Sequence, residues 1–145
     1  MALVYIHDIF MESDGNTPLH TVRSFAEAAQ LVLHNPDGLA VTNSIGDLPL
    51  HSLLKDSFVD DERTRIIILF IRKHPDATRV KNGFGELPIH ILLKYSFFTP
   101  SMLIVDELNR QNPEGIASVD GDGYSPRVYA RRYSNPLRLL STNSV

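Results

Sequence analysis

Three histidines, His20, His51 and His90, each stand two residues after a proline in this 145-residue chain. Imidazoles invite a metal reading. Zinc, however, needs its nitrogen donors at about 2.0–2.1 Å, and equivalent side chains on packed helices stand about 8–10 Å apart. The expected role is structural, each histidine hydrogen-bonding its own turn to the neighbouring one. Ser118-Val-Asp-Gly-Asp-Gly123 spaces oxygens at 118, 120 and 122 as a calcium loop does, but position twelve is Tyr129, which offers no carboxylate. A metal-dependent activity at the Asp120–Asp122 turn is therefore only a minor alternative. Gly83-Phe-Gly85 is not a dinucleotide fingerprint, because Pro88 falls where the third glycine belongs. Asp60-Asp-Glu62 could serve as paired carboxylates, yet a helix N-terminus is the commoner home for such a run. No Gly-x-Ser-x-Gly elbow, phosphate-cradling lysine loop or His-Glu-x-x-His motif occurs. The expectation is a protein without catalysis, cofactor or metal.

Composition narrows the alternatives further. Fourteen basic and 17 acidic side chains give a formal net charge of −3, with 43% hydrophobic and 21% charged residues. That suits one globular domain with a sizeable core and gives no electrostatic footprint for nucleic acid. With no cysteine, disulfide frameworks and thiolate zinc sites are excluded. The opening Met1-Ala-Leu-Val-Tyr-Ile-His-Asp lacks the basic flank and the long apolar run of a signal peptide, and no run approaches the ~20 apolar residues of a membrane span. A soluble, intracellular, cytoplasmic monomer without membrane insertion is expected.

The elements that would position these residues emerge as a repeat. Asn35-Pro-Asp-Gly, His74-Pro-Asp-Ala and Asn112-Pro-Glu-Gly are each followed, 13 residues after their proline, by a second proline, at 49, 88 and 126. Gly15-Asn-Thr-Pro-Leu-His20 supplies an earlier copy of the second half, and successive Gly-x-x-Pro units lie 31, 39 and 38 residues apart. One half of the repeat is rigid and the other elastic. The rigid half reads as a turn, with Gly46 and Gly85 free to take left-handed backbone angles, feeding a helix whose first turn holds Pro49 or Pro88. Leu50, Leu53 and Leu54, and again Ile89, Leu92 and Leu93, form a buried stripe; Pro18 begins a weaker copy. The elastic half ends in a second helix. One runs from Asp60-Asp-Glu62 to Lys73 and His74, around Ile66, Ile67, Leu69, Phe70 and Ile71. The next is capped by Thr99, starts at Pro100 and packs through Leu103, Ile104, Val105 and Leu108; the first covers 26–33. No such pair can bury its apolar face alone, so neighbours must stack.

Gly15-Asn-Thr-Pro-Leu-His20 resembles the ankyrin repeat signature, and Asn43-Ser-Ile-Gly46, Asn82-Gly-Phe-Gly85 and Asp120-Gly-Asp-Gly123 are similar to that family's hairpin tip. The resemblance covers roughly residues 13–133. It implies an all-α, ankyrin-like helical solenoid of about three full repeats plus partial terminal caps. The units are 1–12 as an N-terminal cap or hairpin arm, 13–42, 43–81 and 82–119 as repeats, and 120–145 as a partial C-terminal repeat. Leu48 and Leu87 replace the usual threonine, and the last two intervals exceed the family's period of about 33 residues. Longer inter-helix loops are expected near 56–61 and 95–100. With 19 residues after Pro126, the final unit reads as a partial cap or as the edge of a longer repeat protein.

For such a protein the resemblance implies recognition of a protein or peptide by the hairpin tips and the concave first-helix face. Three sets of residues fall there: Ile45, Phe84 and Asp122 at the tips; Asn16, Asp47, Glu86 and Tyr124 just before the helices; and, late in those helices, Ser24, Lys55, Lys94 and Arg132 beside Phe25, Asp56, Tyr95 and Tyr133. Tyrosine and phenylalanine are natural anchors. Lys55, Lys94 and Arg132 would form a basic stripe, favouring a mixed, partly apolar partner with some acidic groups. An architectural segment spacing domains of a larger polypeptide is the alternative.

Overall fold

Proline and histidine together start the first three inner helices. In Leu48-Pro-Leu-His51 the proline occupies the first helical position, where its missing N–H costs nothing. Two residues on, the His51 Nδ1 accepts the N–H of Leu48 at 3.0 Å, the part a glutamate plays in a capping box. His90 does the same for Leu87 at 3.0 Å and His20 for Thr17 at 3.0 Å. The computed structural model describes residues 14–56, 60–96, 100–131 and 133, and all regular structure among them is helical. The inner helices are α1 (Pro18–Thr21), α3 (Pro49–Leu54), α5 (Pro88–Tyr95) and α7 (Pro126–Ala130); the outer ones are α2 (Phe25–His34), α4 (Asp61–Lys73) and α6 (Met102–Gln111).

These helices make two layers. Each inner helix packs on the next inner one, α2 on α4 and α4 on α6, while α1–α2, α3–α4 and α5–α6 pair across the layers. The core lies between, with Leu53, Leu54, Ile67, Ile71, Ile91, Leu93 and Ile104 essentially inaccessible. Burying each such side chain is worth about 1.5–3 kcal/mol. The expected stripes Leu50/Leu53/Leu54 and Ile89/Leu92/Leu93 are all buried. Leu103 departs from the expected packed face of α6 and is 67% exposed.

The outer helices begin differently. The Asp60 carboxylate caps α4 by accepting the Arg63 N–H at 2.8 Å, and Ser24 caps α2 through Glu27. The expected start of α6 at Pro100 is corrected: Ser101 has an extended ψ of 123°, so winding begins at Met102. Thr99 lies outside the described residues. The α3–α4 and α5–α6 connections span 55–60 and 96–101, longer than the 22–24 that joins α1 to α2. Each Asn/His-Pro segment winds into a short 3₁₀ helix: Pro36–Ala40, Pro75–Arg79 and Pro113–Ala117. The 1–12 segment and 134–145 lie outside the described residues.

Candidate docking face

Each hairpin tip is built on one side-chain oxygen. The Asn82 Oδ1 accepts the N–H groups of Phe84 (3.0 Å) and Glu86 (2.9 Å). Asn43 Oδ1 holds Ile45 (3.1 Å) and Asp47 (2.9 Å) in the same way, and Asp120 Oδ1 holds Asp122 and Tyr124, each at 3.0 Å. The tips are then laced together by the backbone: Ser44 N–H to Asp14 O, Gly83 N–H to Ile45 O and Gly121 N–H to Phe84 O, all at 2.9 Å.

The histidines latch successive repeats. Their Nδ1 atoms accept, so the neutral rings carry their proton on Nε2 and donate it forward: His20 to Asp47 O, His51 to Val80 O and His90 to Ser118 O, each at 2.9 Å. All three are buried, and desolvation lowers their pKa below the ordinary 6.5, outweighing the nearby carbonyls and carboxylates. The turn-to-turn role expected of them is the one their bonds display. Among the described residues no three His, Asp or Glu side chains are grouped so as to hold a metal ion. At the Asp120–Asp122 turn, Asp120 is already engaged by two backbone N–H groups and by the Tyr129 hydroxyl. That hydroxyl and the two amides hold the Asp120 pKa down against the opposing desolvation.

The candidate docking residues separate into two groups. Phe84 is 59% exposed, and Ile45, Tyr95, Tyr124 and Asp122 also face solvent. Phe84, Tyr95 and Asp122 line a groove of about 460 Å³ between the third and fourth tips, with Glu86, Lys94 and Asp120 at its base. Asp47 and Glu86, expected on the docking surface, are instead buried. Asp47 pairs with Lys55 at 2.6 Å and Glu86 with Lys94 at 3.0 Å, and Asn82 Nδ2 donates to both carboxylates (2.9 and 3.0 Å). The hydrogen bond to Glu86 keeps the Lys94 pKa raised despite desolvation. Asp56 pairs with Arg63 of α4 at 3.1 Å, closing the inter-helix connection. The expected basic stripe is thus largely compensated from within the protein. Lys55 also lies 5.9 Å from the centre of the Phe84 ring, tying one repeat to the tip of the next.

Tyr133 is a second correction. Rather than facing a partner it is buried, and its hydroxyl donates to Leu93 O (2.7 Å) and Ser96 O (3.0 Å), satisfying the end of α5. Tyr133→Phe should cost about 1–2 kcal/mol in urea unfolding; no change would show that those carbonyls find other donors. Arg132 lies outside the described residues. Of the remaining aligned positions, Asn16 accepts from Asn43 Nδ2 at 2.9 Å, Ser24 caps α2, and Phe25 stacks under Arg65 at 4.2 Å.

Tyr129, which spacing names only as the twelfth position of a calcium-type loop, sits between Asp120, Tyr124 and His90. Its other sequence signal is its place three residues after Pro126 in the last copy. Burial first, and the bond to Asp120 second, raise its phenol pKa. No helix among the described residues is long and apolar enough to cross a membrane. Comparison of the chain with protein-family models and with curated proteins finds no match.

Proposed function

We propose that this chain is a non-catalytic protein-interaction module, an ankyrin-like solenoid that takes a protein or peptide segment on its hairpin tips and inner-helix face. One observation carries this: Phe84 and Tyr95 stand exposed along a groove whose polar base is internally paired, and Ile45 and Tyr124 are exposed at the adjoining tips. No turn needs an exposed phenylalanine, and large aromatics held on a rigid scaffold are the usual anchors of recognition. The partner segment is apolar at its anchors. Acidic groups in it matter less than residue types suggest, because Lys55 and Lys94 already answer Asp47 and Glu86.

Phe84→Ala with Tyr95→Ala tests this. Each ring is exposed but lies near a lysine, Phe84 by Lys55 and Tyr95 by Lys94, so unfolding should shift by no more than about 2 kcal/mol, with the fold kept. Capture of partners from native extract should fall at least about tenfold. Capture equal to that of the unaltered protein would remove this face and favour the architectural role.

A further inference from the structure

The outer layer carries a second, unrelated feature. Between α4 and α6 runs a trough of about 690 Å³, floored by Ile68, Leu69 and the exposed Leu103. Its rim is cationic and held in place. Arg72 of α4 and Arg110 of α6 both bond one Glu107 oxygen, at 3.1 and 2.7 Å. Glu107 is 5% exposed, whereas the side chains of the two arginines are 65% and 66% exposed. One buried negative charge therefore fixes two outward guanidiniums across the trough. Arg65, stacked on Phe25, and Lys73 add two more cations; Asp106 is the other anion lining it. Four positive against two negative groups leave the rim net positive.

We infer that this trough is a docking site for an amphipathic helix with an apolar ridge and acidic flanks, carried by a partner protein. Charge complementarity selects the flanks, and guanidiniums clasped on Glu107 lose little side-chain freedom when they fork onto carboxylates. The geometry selects the helix: α4 and α6 already lie side by side, and a third helix fits the trough between neighbours as helices pack generally. α4 has 13 residues and is thus about 20 Å long, so a partner of three to four turns spans it. The site faces away from the tips and stands independently of the proposed tip-side function.

The probe is a synthetic 15-residue peptide with leucines at i, i+3, i+4, i+7 and i+11 and glutamates on both flanks. A twin peptide carries lysines instead. Fluorescence anisotropy with the full chain should show saturable binding of the glutamate peptide, weakening with salt, and none of the lysine twin. Leu103→Asp should weaken it at least about tenfold with unchanged circular dichroism, and Lys73→Glu should weaken it at low salt. The Phe84/Tyr95 double variant should bind it normally, which separates this site from the tip face. Four results would overturn the inference: no saturable binding, equal binding of the twin, indifference to Leu103→Asp, or Leu103-dependent binding to phosphatidylserine vesicles in place of the peptide.

Discussion

Between pH 7 and pH 5 the protein should lose stability. His20, His51 and His90 are neutral in the fold, and burial holds each pKa below its ordinary 6.5. Above that value neither folded nor unfolded chain binds the extra protons, and the stability is whole. As pH falls below it, the unfolded chain takes up protons that the folded one refuses. Folding then weakens by up to about 1.4 kcal/mol per pH unit for each histidine, or about 4 for three, until the folded state's own lowered pKa is passed. The window lies above the usual carboxylate range, so the acids contribute little slope. Urea unfolding at pH 7.5, 6.5, 5.5 and 5 measures the effect. Stability that is flat or rising toward pH 5 would contradict the assignment of neutral, Nε2-protonated rings. His51→Gln, which cannot titrate, should remove about a third of the slope.

Gly85→Ala should cost at least about 3 kcal/mol. Gly85 has a φ of +75°, where a side chain costs about 1–2 kcal/mol, and an added Cβ would meet the Gly121 backbone nitrogen at 2.7 Å. That nitrogen donates to Phe84 O in the lacing between tips, so relief of the clash breaks a bond between repeats. Gly123→Ala separates the two effects. Its φ is +85°, but an added Cβ there meets nothing within 4 Å. It should lose only the backbone part, about 1–2 kcal/mol. Equal losses at both positions would mean that the lacing contributes nothing.

Both predictions concern contacts between repeats, which is where stacked architectures keep their cooperativity. Neither helix of a pair has enough partners alone, and the tip lacing, the histidine latches and the shared core join each unit only to its neighbours. The Arg79 guanidinium adds to this, donating to Gln111 O at 2.9 Å and to the Asn112 and Glu114 side chains at 3.2 and 3.1 Å, one repeat on. The two proposed docking surfaces sit on opposite layers of the same row, so a partner on one leaves the other open.

The order along the chain was enough to determine an all-α chain with proline-led helices in a repeating pattern, because proline, glycine and histidine act locally. A proline two residues before a histidine sets a first turn and its cap, and a glycine at fixed distance ahead sets the turn that feeds it. That each histidine ties its turn to the neighbouring one was legible too, whereas the acceptor each Nε2–H finds, Asp47 O, Val80 O or Ser118 O, was not. Tertiary structure alone decided which charges are spent internally. Asp47 and Glu86 occupy the register of exposed residues, yet a lysine eight residues along each, and Asn82 (one repeat on from Asp47, four residues before Glu86), draw them inward. Arg72 and Glu107 are 35 residues apart and meet only because α4 and α6 lie in one layer. Periodicity assigns a side chain to a face, but the partner it finds there depends on how two distant segments superpose, and no local pattern encodes that.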